Sequence, residues 1–186
     1  SLNQIENDLL AHEWVADAFC APHPQHKRVA VWAALNAAGI EALREKGRAQ
    51  VAAALKTHLA ATQDTVALPR YWRFAVELPR NAQSKITAAD FQTAFTQAQT
   101  APEWRECLSE NPAVYRFEGR VPLDLTYFGG HFANFPLVPG VIELQWVRDY
   151  CRLTWASFGQ NPLQCPPMHM QAPCRFTDIA VALLVN

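Results

Sequence analysis

From Gly140 to about Phe158 the sequence reads as a helix that is apolar nearly all round, with Val141, Ile142, Leu144, Trp146, Val147, Tyr150, Leu153 and Trp155. A helix without a polar stripe belongs in an interior, so the rest of the 186-residue chain has to supply its cover. The segment leading into it, Tyr127 to Trp146, reads Y-F-G-G-H-F-A-N-F-P-L-V-P-G-V-I-E-L-Q-W. A glycine pair delivers His131 into an aromatic and proline-rich loop, and Pro139-Gly140 opens the helix. Proline is favoured near a first helical turn because its missing N–H would have no intrahelical partner there. The free N–H groups of such a start, here those of Gly140 and Val141, can polarise a carbonyl or hold an anion. A base and a set of donors close together are the minimum for chemistry on a carbonyl compound.

Half of the residues are hydrophobic, enough for a sizeable core, and the length suits one to two domains. Sixteen basic against 17 acidic residues argue against a nucleic-acid partner or an anionic membrane surface. No apolar run approaches the ~20 residues of a membrane span, and the opening residues do not read as a signal peptide. The five cysteines are widely spaced without a C-x-x-C, which predicts reduced thiols and a cytoplasmic location. Cys165 and His169 form a single pair, whereas structural zinc wants four ligands, so no metal is expected.

The first hundred residues predict a small α+β domain of order αββαβα. Leu2, Ile5, Leu9 and Leu10 share a face of a helix over residues 1–12. A short strand follows over 15–21. The unbroken apolar run 29–35 predicts a central strand covered on both faces. A long helix is expected from about 40 to 60, with Val51, Leu55 and Leu59 at four-residue spacing. Trp72, Phe74, Val76 and Leu78 alternate with Arg73 and Glu77, as in a strand with one buried face. Thr87 is placed to cap a last helix through Phe91 and Phe95.

Beyond it the text turns polar, Q-A-Q-T-A-P-E-W, and a domain boundary is expected near residue 100. The reading is one domain over 1–98, a linker over 99–112 and a second domain over 113–186. The second domain opens with alternation from Tyr115 to Leu125, in which Pro122 suggests a sheet edge or a bulge. Residues 168–176 and 179–185 read as further strands, and the apolar A-V-A-L-L-V as an open, association-prone edge.

Two resemblances accompany these patterns. S-L-x-x-I-E-x-x-L at 1–9, V-A-D-A-F at 15–19 and L-P-R-N-A-Q-S-K-I at 78–86 resemble the C-terminal lid subdomain of adenylate-forming enzymes, the acyl-CoA synthetases and their relatives. That resemblance implies that Lys85 contacts acyl-adenylate and carboxylate oxygens, a role suited to a point charge delivered by a turn. It also implies ATP, Mg and CoA, but only for a full-length adenylating parent whose large ATP-binding domain lies outside this sequence. In this chain alone Lys85 reads as a solvated turn lysine. Family members more often carry Gly where this chain has Ser84.

The second resemblance rests on G-H-F-x-x-x-P-x-x-P-G-V followed by L-x-W. It is similar to the signature of hotdog-fold β-hydroxyacyl-(acyl carrier protein) dehydratases, closest to the thioester dehydratases of aryl-polyene pathways, and runs from about Val114 onward. It implies a sheet wrapped around one central buried helix, with further strands expected beyond this sequence. It implies a homodimer or heterodimer through that domain, an acyl carrier protein or CoA thioester as partner, and no cofactor. His131 takes the place of the base, with Gly130, Phe132, Gly140 and Val141 around the substrate. In the family an acidic residue follows fourteen positions later on the helix, usually contributed across a dimer interface, whereas here that position is Gln145.

Glutamine exchanges hydrogen bonds but cannot transfer a proton at neutral pH. Glu143 carries a carboxylate, but two helical steps rotate it roughly 200° away. Asp149 stands one turn beyond Gln145, about 6 Å further along the same face. Three functions therefore stay open. The first is a 3-hydroxyacyl thioester dehydratase using His131, with Gln145 or Glu143 in the second role. The second is a thioesterase in which the amide positions water. The third is a non-catalytic subunit that pairs with an active copy and docks an acyl carrier protein.

Overall fold

The computed structural model describes residues 1–107, 110, 114–129, 138–157, 168–170 and 179–184. They form a mixed α+β structure in two compact units, one of residues 1–99 and one beginning at Thr100.

The first unit opens with α1 (Leu2–Leu10), whose start is capped by the Ser1 side chain accepting the Gln4 N–H at 3.3 Å. Its buried face is Ile5 and Leu9. β1 (Val15–Pro22) runs antiparallel to β2 (Val29–Leu35), and β2 runs parallel to β3 (Tyr71–Ala75). The central place of β2 accounts for its continuous apolar text, since every residue from Ala30 to Leu35 is buried. A parallel pair needs a crossover, which here consists of α2 (Ala37–Lys46) and α3 (Arg48–Ala60).

The single helix expected over 40–60 is thus two. Gly47 adopts φ 81°, outside helical geometry, and its N–H closes α2 on the Leu43 carbonyl. Val51, Leu55 and Leu59 of α3 are fully buried, as their spacing implies. Gly39 lets α2 approach the chain before β1, because a Cβ there would sit 2.4 Å from the Trp14 carbonyl oxygen.

β3 stops at Ala75, short of the expected Leu78. Val76 is exposed, and Leu78 returns to the core from the following loop. α4 (Ala88–Thr96) begins at Thr87, which accepts the Asp90 N–H at 3.1 Å and donates its hydroxyl to the Asp90 carboxylate at 2.7 Å. Phe91, Ala94 and Phe95 of α4 pack with Ala30, Trp32 and Ala34 of β2.

The second unit is a four-stranded antiparallel sheet with order β4-β5-β7-β6, made of β4 (Glu103–Cys107), β5 (Val114–Arg120), β6 (Met168–Met170) and β7 (Ile179–Leu184). β4 occupies the stretch read as a linker. Its polar text suits an edge, and it is held by pairing across the sheet. Arg105 lies opposite Glu118, its Nε 3.2 Å and its Nη2 2.5 Å from the same carboxylate oxygen. Trp104 lies over Gly119, where a Cβ would come within 2.9 Å of the indole ring.

Two sheet expectations change. β5 is flanked by β4 and β7 and ends before Pro122, so the proline terminates an interior strand instead of marking an edge. β7, expected as an open edge, pairs with β5 on one side and β6 on the other. The helix α5 (Gly140–Ser157) buries Trp146 and Val147 in a cluster with Phe117, Val121, Leu125 and Val138. It is not buried all round, because Val141 is 71% and Leu144 57% exposed. A single packed layer covers only one stripe of a helix, and these two residues lie outside it.

Candidate functional site

His131, Gly130 and Phe132, together with Phe135 and Cys165, lie outside the described residues. The described part of the dehydratase-like constellation is the start and first turns of α5. The N–H groups of Ile142 and Glu143 both turn back to the Pro139 carbonyl, at 2.8 and 3.2 Å. The N–H groups of Gly140 and Val141 precede that first closure and have no backbone acceptor among the described residues. A Cβ built on Gly140 would meet no described atom within 4 Å. The helix start is therefore open on that side with respect to the described residues.

Along α5 the polar candidates separate onto two faces. Gln145, Arg148, Asp149 and Arg152 are exposed, on the side that also carries Val141 and Leu144. Glu143 is 7% exposed and lies inward with Trp146 and Val147. Asp149 stays beside Arg148, Oδ1 to Nε 4.0 Å, with both side chains more than half exposed. Gln145 and Asp149 thus share a face that Glu143 does not.

In the first unit, Lys85 is exposed at the end of a tightly built turn. Asn81 organises it: its side-chain oxygen accepts the N–H groups of Gln83 and Lys85, both at 3.0 Å, and its N–H donates to the Lys85 carbonyl at 2.9 Å. Ser84 sits inside the turn at φ 59°. Arg80 anchors the turn to β1 through Asp17 and donates from Nη1 to the Ser84 carbonyl at 2.8 Å. The carboxylate beside it raises the Arg80 pKa above the ordinary guanidinium value.

Sequence reasoning gave no role to Arg80, Asn81 or Asp17. The available signal was that the blocks V-A-D-A-F and L-P-R-N-A-Q-S-K-I carry opposite charges, and the fold joins them through those charges. Among the described residues no group of three or more His, Cys, Asp or Glu side chains is placed to hold a metal, and no helix is long and apolar enough to cross a membrane.

No curated protein matches the chain. Solved structures that align with it include O-succinylbenzoate coenzyme A synthetase from Bacillus subtilis, at 20% identity and TM-score 0.40, covering 52% of this chain and 18% of that one. An acyl-CoA synthetase from Brucella canis aligns at 27% identity and TM-score 0.37, covering 46% and 15%. A benzoate CoA ligase from Burkholderia xenovorans aligns at 20% identity and TM-score 0.40, covering 50% and 18%. The chain spans less than a fifth of each, and overlaps of this size do not by themselves assign it an activity. Residues 107–172, which hold the G-H-F motif and the whole of α5, match the family model described as ApeI-like, ApeI dehydratase.

Proposed function

We propose that the second unit processes acyl thioesters, and specifically that it removes water from a 3-hydroxyacyl thioester carried by an acyl carrier protein or CoA. The observation that carries this reading is the ApeI-like match over residues 107–172, which takes in His131, Gly140, Val141, Glu143 and Gln145 together. The Gly140 and Val141 N–H groups serve as donors to the thioester oxygen as charge builds on it. His131 removes the C2 proton, and C2–H cleavage, C2=C3 formation and C3–O cleavage complete the elimination. Gln145 cannot supply the proton, so His131 passes the C2 proton to the departing hydroxyl, and Gln145 holds that hydroxyl by hydrogen bonds. The atoms balance as one enoyl thioester and one water.

A second reading draws on the exposed face of α5. Val141 and Leu144 beside Gln145 suit a surface that pairs with another hotdog domain, as a homodimer or as the non-catalytic half of a heterodimer. For the first unit, Lys85 acts on adenylate oxygens only within a longer parent that supplies an ATP-binding domain and brings ATP, Mg and CoA. The exposed lysine on a braced turn fits that role.

The test is mass spectrometry of a 3-hydroxyacyl-carrier-protein substrate with the wild type, His131→Ala and Gln145→Glu. Loss of one water with the wild type and none with His131→Ala supports the dehydratase. Activity gained only in Gln145→Glu moves the reading to the pairing subunit. Release of free acid points to a thioesterase.

A further inference from the structure

Helix α1 meets the end of α3 at two histidines. The His12 and His58 rings stand 4.9 Å apart, edge to face at 87°, and both are half-buried. His12 Nδ1 accepts the Trp14 N–H at 3.1 Å, so that nitrogen carries no proton. His58 Nε2 lies 2.8 Å from the Asp8 carbonyl oxygen, which makes it the donor.

The charged groups around the pair come from three elements. From α1, the Asp8 carboxylate accepts from Gln4 at 2.8 Å, Thr62 at 2.5 Å and Gln63 at 2.8 Å. Glu13 adjoins His12 in the chain, and Lys46 at the end of α2 places Nζ 5.0 Å from the centre of the Trp14 ring, which itself packs on His12.

We infer that His12 and His58 form an acid-operated latch between α1 and the end of α3. A proton on His12 Nδ1 removes the acceptor for the Trp14 N–H and sets a cation edge to face with the His58 ring in a half-buried joint. Helix α1 then detaches at that end and uncovers Leu9 and Ile5, while the Glu6 carboxylate still accepts the Cys20 N–H at 2.7 Å near its middle.

The direction follows from the neutral form being preferred in the fold. Burial, then His58, hold the His12 pKa below its ordinary value of 6.5, against an opposing pull from Glu13. The latch is therefore intact above pH 6.5 and is lost as the pH falls through that value toward the lowered one. Hydrogen bonds from Thr62, Gln63 and Gln4 hold the Asp8 pKa below its ordinary value, so Asp8 stays anionic throughout this range and offsets only part of the cost of charging the joint.

Amide hydrogen exchange on the full chain, corrected for intrinsic rates, tests this between about pH 7.5 and pH 5. In the wild type, protection of α1 should fall severalfold while α4 holds steady. His12→Asn keeps a side-chain acceptor for the N–H two residues on and cannot titrate, so its α1 protection should not depend on pH. His58→Gln keeps a donor for the Asp8 carbonyl and should reduce the fall. Exchange of α1 in step with α4 in the wild type would overturn the latch. So would an undiminished fall in either variant, and should His12→Asn not fold, His58→Gln alone decides.

Discussion

Arg80 grips Asp17 with two parallel hydrogen bonds, Nε to Oδ2 at 2.6 Å and Nη2 to Oδ1 at 2.7 Å, across 63 residues of sequence. The pair is about one-third exposed, so its charge attraction is partly screened. Its geometry matters more, because a planar guanidinium fits a carboxylate on two points and still reaches the Ser84 carbonyl. Arg80→Ala should lower stability by about 1 kcal/mol in urea unfolding and speed amide exchange at Ser84 and Lys85. Arg80→Lys should recover little of this, since an ammonium cannot make the paired contact. Full recovery by lysine would reduce the pair to a simple charge contact.

Ser84 holds φ 59° without being glycine. A side chain in that region costs roughly 1–2 kcal/mol, offset in part by the greater freedom glycine gains on unfolding. Ser84→Gly should therefore raise stability by about 0.5–1 kcal/mol, and Ser84→Val should lower it by at least that much. Thermal melts of the two variants moving in the same direction would contradict the strained turn. The preference for Gly at this place in the lid-like motif has its physical reason here.

Gly39 is a helical position where alanine would normally help. Its Cβ would stand 2.4 Å from the Trp14 carbonyl oxygen and 3.0 Å from Leu35 Cβ, both on or next to backbone that cannot swing aside. Gly39→Ala should cost about 1–3 kcal/mol despite the gain in helix propensity. A stabilised variant, measured by chemical denaturation, would mean that α2 sits further from β1 than described.

Two faces of α5 should respond differently. Trp146 is buried and its indole N–H donates to the Thr100 carbonyl at 2.7 Å, tying the approach to β4 onto the helix. Trp146→Phe should cost about 1–3 kcal/mol from the orphaned carbonyl and the lost ring volume. Leu144→Ser, at 57% exposure, should change monomer stability by less than about 0.5 kcal/mol. If the exposed face is a pairing surface, Leu144→Ser should also shift light-scattering mass downward at equal concentration. An unchanged mass would assign that face to solvent.

Local patterns proved readable where neighbouring residues decide the outcome. The run from Val29 to Leu35 becomes the buried central strand, the Val51-Leu55-Leu59 spacing becomes the inner face of α3, and Thr87 caps α4 as its side-chain chemistry implies. The position of Gln145 and the helix start at Pro139-Gly140 were legible for the same reason, since helical rotation follows from residue count.

What tertiary structure decided is each feature that depends on a distant partner. Gly47 breaks the long helix because α2 and α3 turn there, and a lone glycine in a helical pattern does not announce which way it goes. The polar text of β4 is a strand only because β5 supplies its ladder, and β7 escapes being an edge because β6 pairs with it. The exposed stripe of α5 could not be read from a sequence apolar nearly all round, since the sheet chooses which stripe to cover. Sequence by itself determined the elements whose energies are local, while the sheet order, the covered face of α5 and the Arg80–Asp17 clasp had to wait for contacts between residues far apart in the chain.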